Sequence, residues 1–213
     1  MASTKPIIGV LSVGPVLPEL PELKTDASAA IAAIDLLGGV AKRCEPDGGA
    51  DGLDGLCVIG DNGFGQNDET TPELLIEALQ ADTPLLAIEG GMHALNIALG
   101  GAAPIPTPSH CGEDEELAKD SMFMALGSKL ADTIGGAGFV SASSCHAYGV
   151  SRGVLAPGTL ASAYSTVDGT IEAFEVTANK WTIGVQWPAH RLDDQPSGFD
   201  NLFHALIGHA AGK

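Results

Sequence analysis

The chain has 213 residues, of which 45% are hydrophobic, 28 are glycine and only 10 are Lys or Arg, for a formal net charge of −17. That length suits one α/β domain with a sizeable core. The charge argues against a phosphate-binding surface, so neither nucleic acid nor an anionic membrane is expected as a partner.

No apolar run approaches the roughly 20 residues of a membrane helix, and the first one is too short for a signal sequence and lacks a cleavage pattern. The expected location is therefore cytoplasmic. The excess acid reads as a solvated surface, or as a field that attracts cationic substrates such as amines. Cys44, Cys57, Cys111 and Cys145 show no C-x-x-C spacing and are expected to be free thiols. Cys44 and Cys57 lie in apolar runs and read as core.

Residues 6–13 read as the first strand. Residues 14–24, with three prolines, read as loop. Thr25-Asp26 can cap a helix over 27–37 that stops at Gly38-Gly39, and 40–44 is a short second strand. Residues 54–60 form a third strand opening into Asp61-Asn62-Gly63-Phe64-Gly65. Thr71-Pro72 starts a helix that runs through 79.

Residues 83–101 organise the rest. The apolar run 84–88 reads as a buried strand, stops at Glu89-Gly90-Gly91, and gives way at once to an apolar-periodic helix over 92–99. Strand, sharp Gly-rich turn and helix is the geometry of a nucleophile elbow, and its apex is Glu89. The β-α alternation implies a mostly parallel central sheet with helices on both faces, and ligands in such sheets sit at the carboxyl ends of the strands.

Residues 102–120 read as surface loop containing His110 and Cys111, with an acidic run at 113–116. Short strands are expected at 121–126, 138–143, 160–165 and 170–176. A buried strand at 181–187 and an amphipathic helix at 199–211 close the domain.

Four segments carry a resemblance. Ala87-Ile-Glu-Gly-Gly-Met-His-Ala-Leu-Asn96 resembles the elbow Gly-Ile-Cys-Arg-Gly-Met-Gln-x-Leu-Asn of class I glutamine amidotransferases, in particular their γ-glutamyl hydrolase branch. Ser143-Ser144-Cys145-His146 resembles the Asn-Ser-x-His pocket segment of that family. Asp168-Gly-Thr-Ile-Glu-Ala173 resembles its Asp-Gly-x-Ile-Glu-Ala hairpin. Ile183-Gly-Val-Gln-Trp187 resembles the strand before its His-Pro-Glu signature. The resemblance covers essentially the whole chain and implies a single flavodoxin-like domain over 1–213.

The departures fall on the residues that carry the family's chemistry. Glu89 stands where the resemblance places the cysteine, Pro188 where it places the base, His190 where it places the orienting glutamate, and His93 where it places a glutamine. A carboxylate is a weak nucleophile toward amides, and its charge sits where oxyanion charge must develop. Thiol glutaminase chemistry is therefore not expected.

The leading expectation is a repurposed enzyme acting on an amino acid derivative or amine, with Glu89, His146 and His190 as the catalytic set. Gly60, Asp61, Asn62, Gly63, Gly90, His93, Cys145 and Tyr148 would line its binding site. The alternative is a catalytically silent module that binds a ligand or a synthetase-like partner, with Glu89 only capping its helix. His93 also reads as a hydrogen-bonded core histidine, and His190 as a surface loop residue. A homodimer is left open.

A metal could use Glu89 and His93, four apart on a helix, with His146 or Cys145. The dispersed ligands and the positive helix start disfavour it, so no metal and no other cofactor is expected.

Overall fold

The computed structural model describes residues 4–14, 23–60, 63–66, 69–107, 110, 111 and 117–212, with the side chains of 23–26 left aside. The acidic run at 113–116 and most of the proline-rich segment lie outside these residues.

The parallel half of the sheet is built from β1 (Ile7–Val13), β2 (Val40–Cys44), β3 (Gly55–Gly60), β4 (Leu85–Glu89) and the late strand β11 (Thr182–Val185), in the order β2-β1-β3-β4-β11. Its central strands are near-continuous apolar runs because helices cover both faces. Ile8, Val10, Cys57, Ile59, Leu86 and Ile88 point to one face, and Leu11, Val13, Leu56, Val58, Leu85 and Ala87 to the other. The first face packs on α1 (Leu23–Leu36), α4 (Lys129–Ile134) and α5 (Asn201–Ala210). The second packs on α2 (Glu73–Gln80) and α3 (Gly90–Ala98).

Beyond β11 the sheet continues antiparallel through β10 (Ile171–Val176), β9 (Thr159–Ser165), β6 (Ala118–Met124) and β7 (Gly138–Ser144). A two-stranded ribbon of β5 (Ile105–Pro106) and β8 (Tyr148–Gly149) crosses outside it. The expected α/β flavodoxin-like architecture is present, with the Asp168-Gly169 hairpin joining β9 to β10.

Some boundaries differ from expectation. α1 begins at Leu23, so Thr25-Asp26 lie within it instead of capping it. α2 is capped at Pro72 without a side-chain bond. α4 was not expected at all, although its ends carry ordinary signals. Ser128 Oγ accepts from the Ala131 N–H, and Gly135 closes the helix at φ 87°.

The elbow is held down by close packing. A Cβ added at Gly91 would stand 2.2 Å from the carbonyl oxygen of Val58 on β3, and a backbone oxygen cannot swing aside. We expect Gly91→Ala to destabilise the fold by about 3 kcal/mol or more, at the upper end for overpacking. Urea unfolding checks it, a change within about 0.5 kcal/mol contradicting this packing.

Candidate functional site

At the carboxyl ends of the parallel strands, Gly60 of β3 and Glu89 of β4 are register partners, and β11 runs alongside into Gln186 and Trp187. Glu89 links strand to helix at φ 54°, ψ −120°. Among the described non-glycine residues only Asp82 shares a positive φ. Glycine would adopt this conformation freely; a residue with a Cβ stores about 1–3 kcal/mol there. The Glu89 side chain is half-buried and makes no capping hydrogen bond to α3, so the helix-cap role is not what holds it. Gly90, buried, opens α3 with its N–H at the helix start.

The loop after β3 is tied to the elbow helix. His93 is fully buried; its Nδ1 accepts from the Gly63 N–H at 3.3 Å and its Nε2 lies 2.9 Å from Gln186 Oε1. With one nitrogen accepting, the other carries the hydrogen and donates to Gln186, which assigns a neutral Nε2–H tautomer. Gly63, at φ 105°, lies beneath the Tyr148 ring, whose nearest carbon is 3.0 Å from where a Cβ would be. The Gly63 N–H is thereby spent on His93. Gly63, His93 and Tyr148 thus share one wall, while Asp61 and Asn62 lie outside the described residues.

Burial pushes the His93 imidazole down to about 4, the Gln186 bond offsetting this only in part and the nearby His146 adding to it. An imidazole that resists protonation when folded takes up its proton first when unfolded. Its contribution is complete above the unfolded value near 6.5 and is lost as pH falls from there through about 4. We expect His93→Gln to flatten the acid limb of the stability–pH curve by about 3 kcal/mol between pH 7 and 4. Urea midpoints across that range, wild type against variant, check it; parallel curves would contradict it.

His146, placed in the expected set with Glu89, turns its nitrogens elsewhere. Nδ1 lies 3.1 Å from the Tyr148 carbonyl and 3.3 Å from Thr107 Oγ1. Nε2 lies 3.5 Å from Glu172 Oε2 and 3.9 Å from Asp120 Oδ2. Its ring stacks on His110 at 4.4 Å. His110 is buried, which corrects the expectation of a surface loop residue. Its Nδ1 is 2.7 Å from Asp120 Oδ2 and its Nε2 3.0 Å from Asp168 Oδ2.

Burial opposes the charge on His146, but Asp120 and Glu172 outweigh it and raise the imidazole to about 9. Burial likewise works against Asp120, and the two histidines hold it down near 2. Glu172, fully buried, is raised by desolvation. Sequence reasoning missed His110, Asp120 and Glu172 as a group. The available signal was a glutamate inside the apolar run Ile171-Glu172-Ala173.

The expectation of free cysteines is corrected in part, because Cys111 and Cys145 are disulfide-bonded. The pairing of β6 with β7, which sets Ala118 beside Ser144, and of β5 with β8 brings together segments 34 residues apart. No local spacing reveals such a bond. Cys145 therefore joins the site as a covalent tether beside His146. Cys57 is core as expected, its thiol pushed up to about 12 by burial; Cys44, also expected in the core, is only half-buried as the last residue of edge strand β2. None of the four cysteines presents a thiol at the elbow. His190 is buried in the turn after β11, not on the surface, and Pro188 and Ala189 beside it are buried too.

Residues 58–190 match the family model described as Peptidase C26. A provisionally named glutamine amidotransferase of Mycobacterium tuberculosis is 34% identical over 146 residues, covering 65% of this chain but only 44% of that protein. Similar folds include a protein from Thermoplasma acidophilum described as one of the subunits of a GMP synthase, with TM-score 0.74, 16% identity, and 98% and 96% of the two chains covered. The glutaminase domain of Trypanosoma brucei CTPS gives TM-score 0.68 at 17% identity, over 95% and 94%. Among the described residues, no helix is long and apolar enough to cross a membrane.

Proposed function

The chain belongs to the peptidase C26 family, and on that premise we propose that it is a γ-glutamyl hydrolase-like member whose thiol chemistry has been replaced. In this reading it binds an amino acid derivative or amine, glutamyl-containing substrates included, in the cleft at the ends of β3, β4 and β11. Glu89 acts there as general acid or base. Gly90 contributes the N–H at the start of α3. Gly60, Gly63 and Tyr148 form the facing wall. His93 is a positioning residue that fixes that wall, His146 anchors the Tyr148 backbone, and His190 supports the far side of the cleft.

The observation that carries this is the strained backbone at Glu89. Glycine would adopt this turn without strain, yet a charged side chain is held at the apex at a cost. The capture of the Gly63 N–H by His93 favours a second reading, a module that binds ligand or a synthetase-like partner without turnover. A homodimer belongs to the same proposal.

The replacement of the thiol system has its own test. The Glu89→Cys variant, assayed for ammonia release from L-glutamine, should stay at background, because Pro188 leaves no base beside the new thiol. Ammonia released by this variant would mean that another group serves as base, and the reading of the site would fall.

A further inference from the structure

We propose that His110, Asp120, His146 and Glu172 form a closed, structural site for one divalent transition-metal ion of the Zn²⁺ class, in place of the metal-free chain expected from the sequence. The four residues are buried and come from four separate segments: the stretch before β6, β6 itself, the turn before β8, and β10. One donor atom from each lies within 4.8 Å of all the others. A tetrahedral ion with bonds of about 2.1 Å needs donor atoms about 3.4 Å apart. The separations among His110 Nδ1, Asp120 Oδ2, His146 Nε2 and Glu172 Oε2 include 2.7, 3.5 and 3.9 Å, which bracket that value.

The polar atoms that face inward are under-satisfied. His146 Nε2 and both carboxylate oxygens of Glu172 are buried and accept or donate no hydrogen bond. Groups of this kind cost free energy unless something central engages them. Two carboxylates match the charge of a divalent ion, and two imidazoles with two carboxylates form a donor set suited to zinc.

The outer contacts are those of ligating histidines. His110 offers its other nitrogen to Asp168, which is itself fixed by the Thr170 N–H at 2.9 Å. His146 offers Nδ1 to the Tyr148 carbonyl, which leaves the Nε2 lone pair aimed at the cluster. Such bonds set the tautomer and orientation of metal-bound imidazoles. The Cys111–Cys145 disulfide joins the neighbours of the two histidines, so the two ligand-bearing segments are already tethered. Four protein donors fill a tetrahedron and leave no open position, which makes the role structural. The ion would lie behind the cleft wall, since the Glu172 carbonyl accepts from the Gln186 N–H and Gln186 holds His93.

The test uses the full chain with its disulfide intact, stripped with chelator and titrated with Zn²⁺ and, as a spectroscopic probe, Co²⁺. One Zn²⁺ per chain, a raised melting temperature and a visible band of tetrahedral Co²⁺ are expected. Glu172→Gln, close to isosteric, should lose the band and at least 100-fold in affinity. Asp168→Asn, which touches no ion and leaves the core alone, should weaken binding 10- to 100-fold. Folded wild type that takes up no Zn²⁺, or Zn²⁺ binding untouched by both substitutions, would overturn the site.

Discussion

Reducing the Cys111–Cys145 disulfide in chelator-treated protein lowers stability by about 4 kcal/mol. A cross-link over 34 residues removes about that much loop-closure free energy from the unfolded chain. For a domain of this size the melting temperature should fall by on the order of 10 °C. The native side adds to the loss, since the bond clamps the segments carrying His110 and His146 against a cluster of buried charges. Scanning calorimetry with and without reductant measures the shift, and thiol titration should count two free thiols before reduction and four after. A Cys111→Ser/Cys145→Ser double variant should melt low and ignore reductant. A fully reduced wild type that melts unchanged would show that the tether contributes nothing.

The elements that sequence patterning reveals are those whose environment is set locally or by simple periodicity. The buried runs at β1, β3 and β4 and the apolar stripes of α3 and α5 are of this kind, and so is the turn at Glu89, because strand, glycines and helix follow one another directly. α4 escaped because it is one and a half turns long, too short for periodicity to register, although Ser128 and Gly135 bound it. The disulfide and the His110–Asp120–His146–Glu172 cluster escaped for a different reason. Their members approach only through the antiparallel pairing of β6 with β7 and β9 and of β9 with β10, and register across strands is not written in any one segment. His110 looked like loop because its neighbours are polar, and Glu172 looked like half of a hairpin because Asp168-Gly169 is a sufficient turn signal on its own. For His93, the competing possibility of a bonded core histidine describes the geometry found: it holds Gly63 to Gln186.

Glu89→Gln should cost 10²- to 10⁴-fold in turnover, the usual contribution of a positioned acid or base. The substitution keeps the side chain's size and its hydrogen-bonding oxygen while removing the charge and the titrating proton. Glu89 is half-buried and the backbone conformation is unaltered, so stability should stay within about 0.5 kcal/mol. Ligand affinity should change only a few-fold, because Gly63, Tyr148 and the start of α3 are untouched. The decisive measurement is therefore a parallel one, on wild type and Glu89→Gln, against γ-glutamyl amides of small amines and against free polyamines, with binding by calorimetry and turnover by product analysis. Turnover by wild type that collapses in the variant while binding persists is the result expected. Binding without turnover by wild type, or turnover equal in both proteins, would contradict a working carboxylate at the elbow.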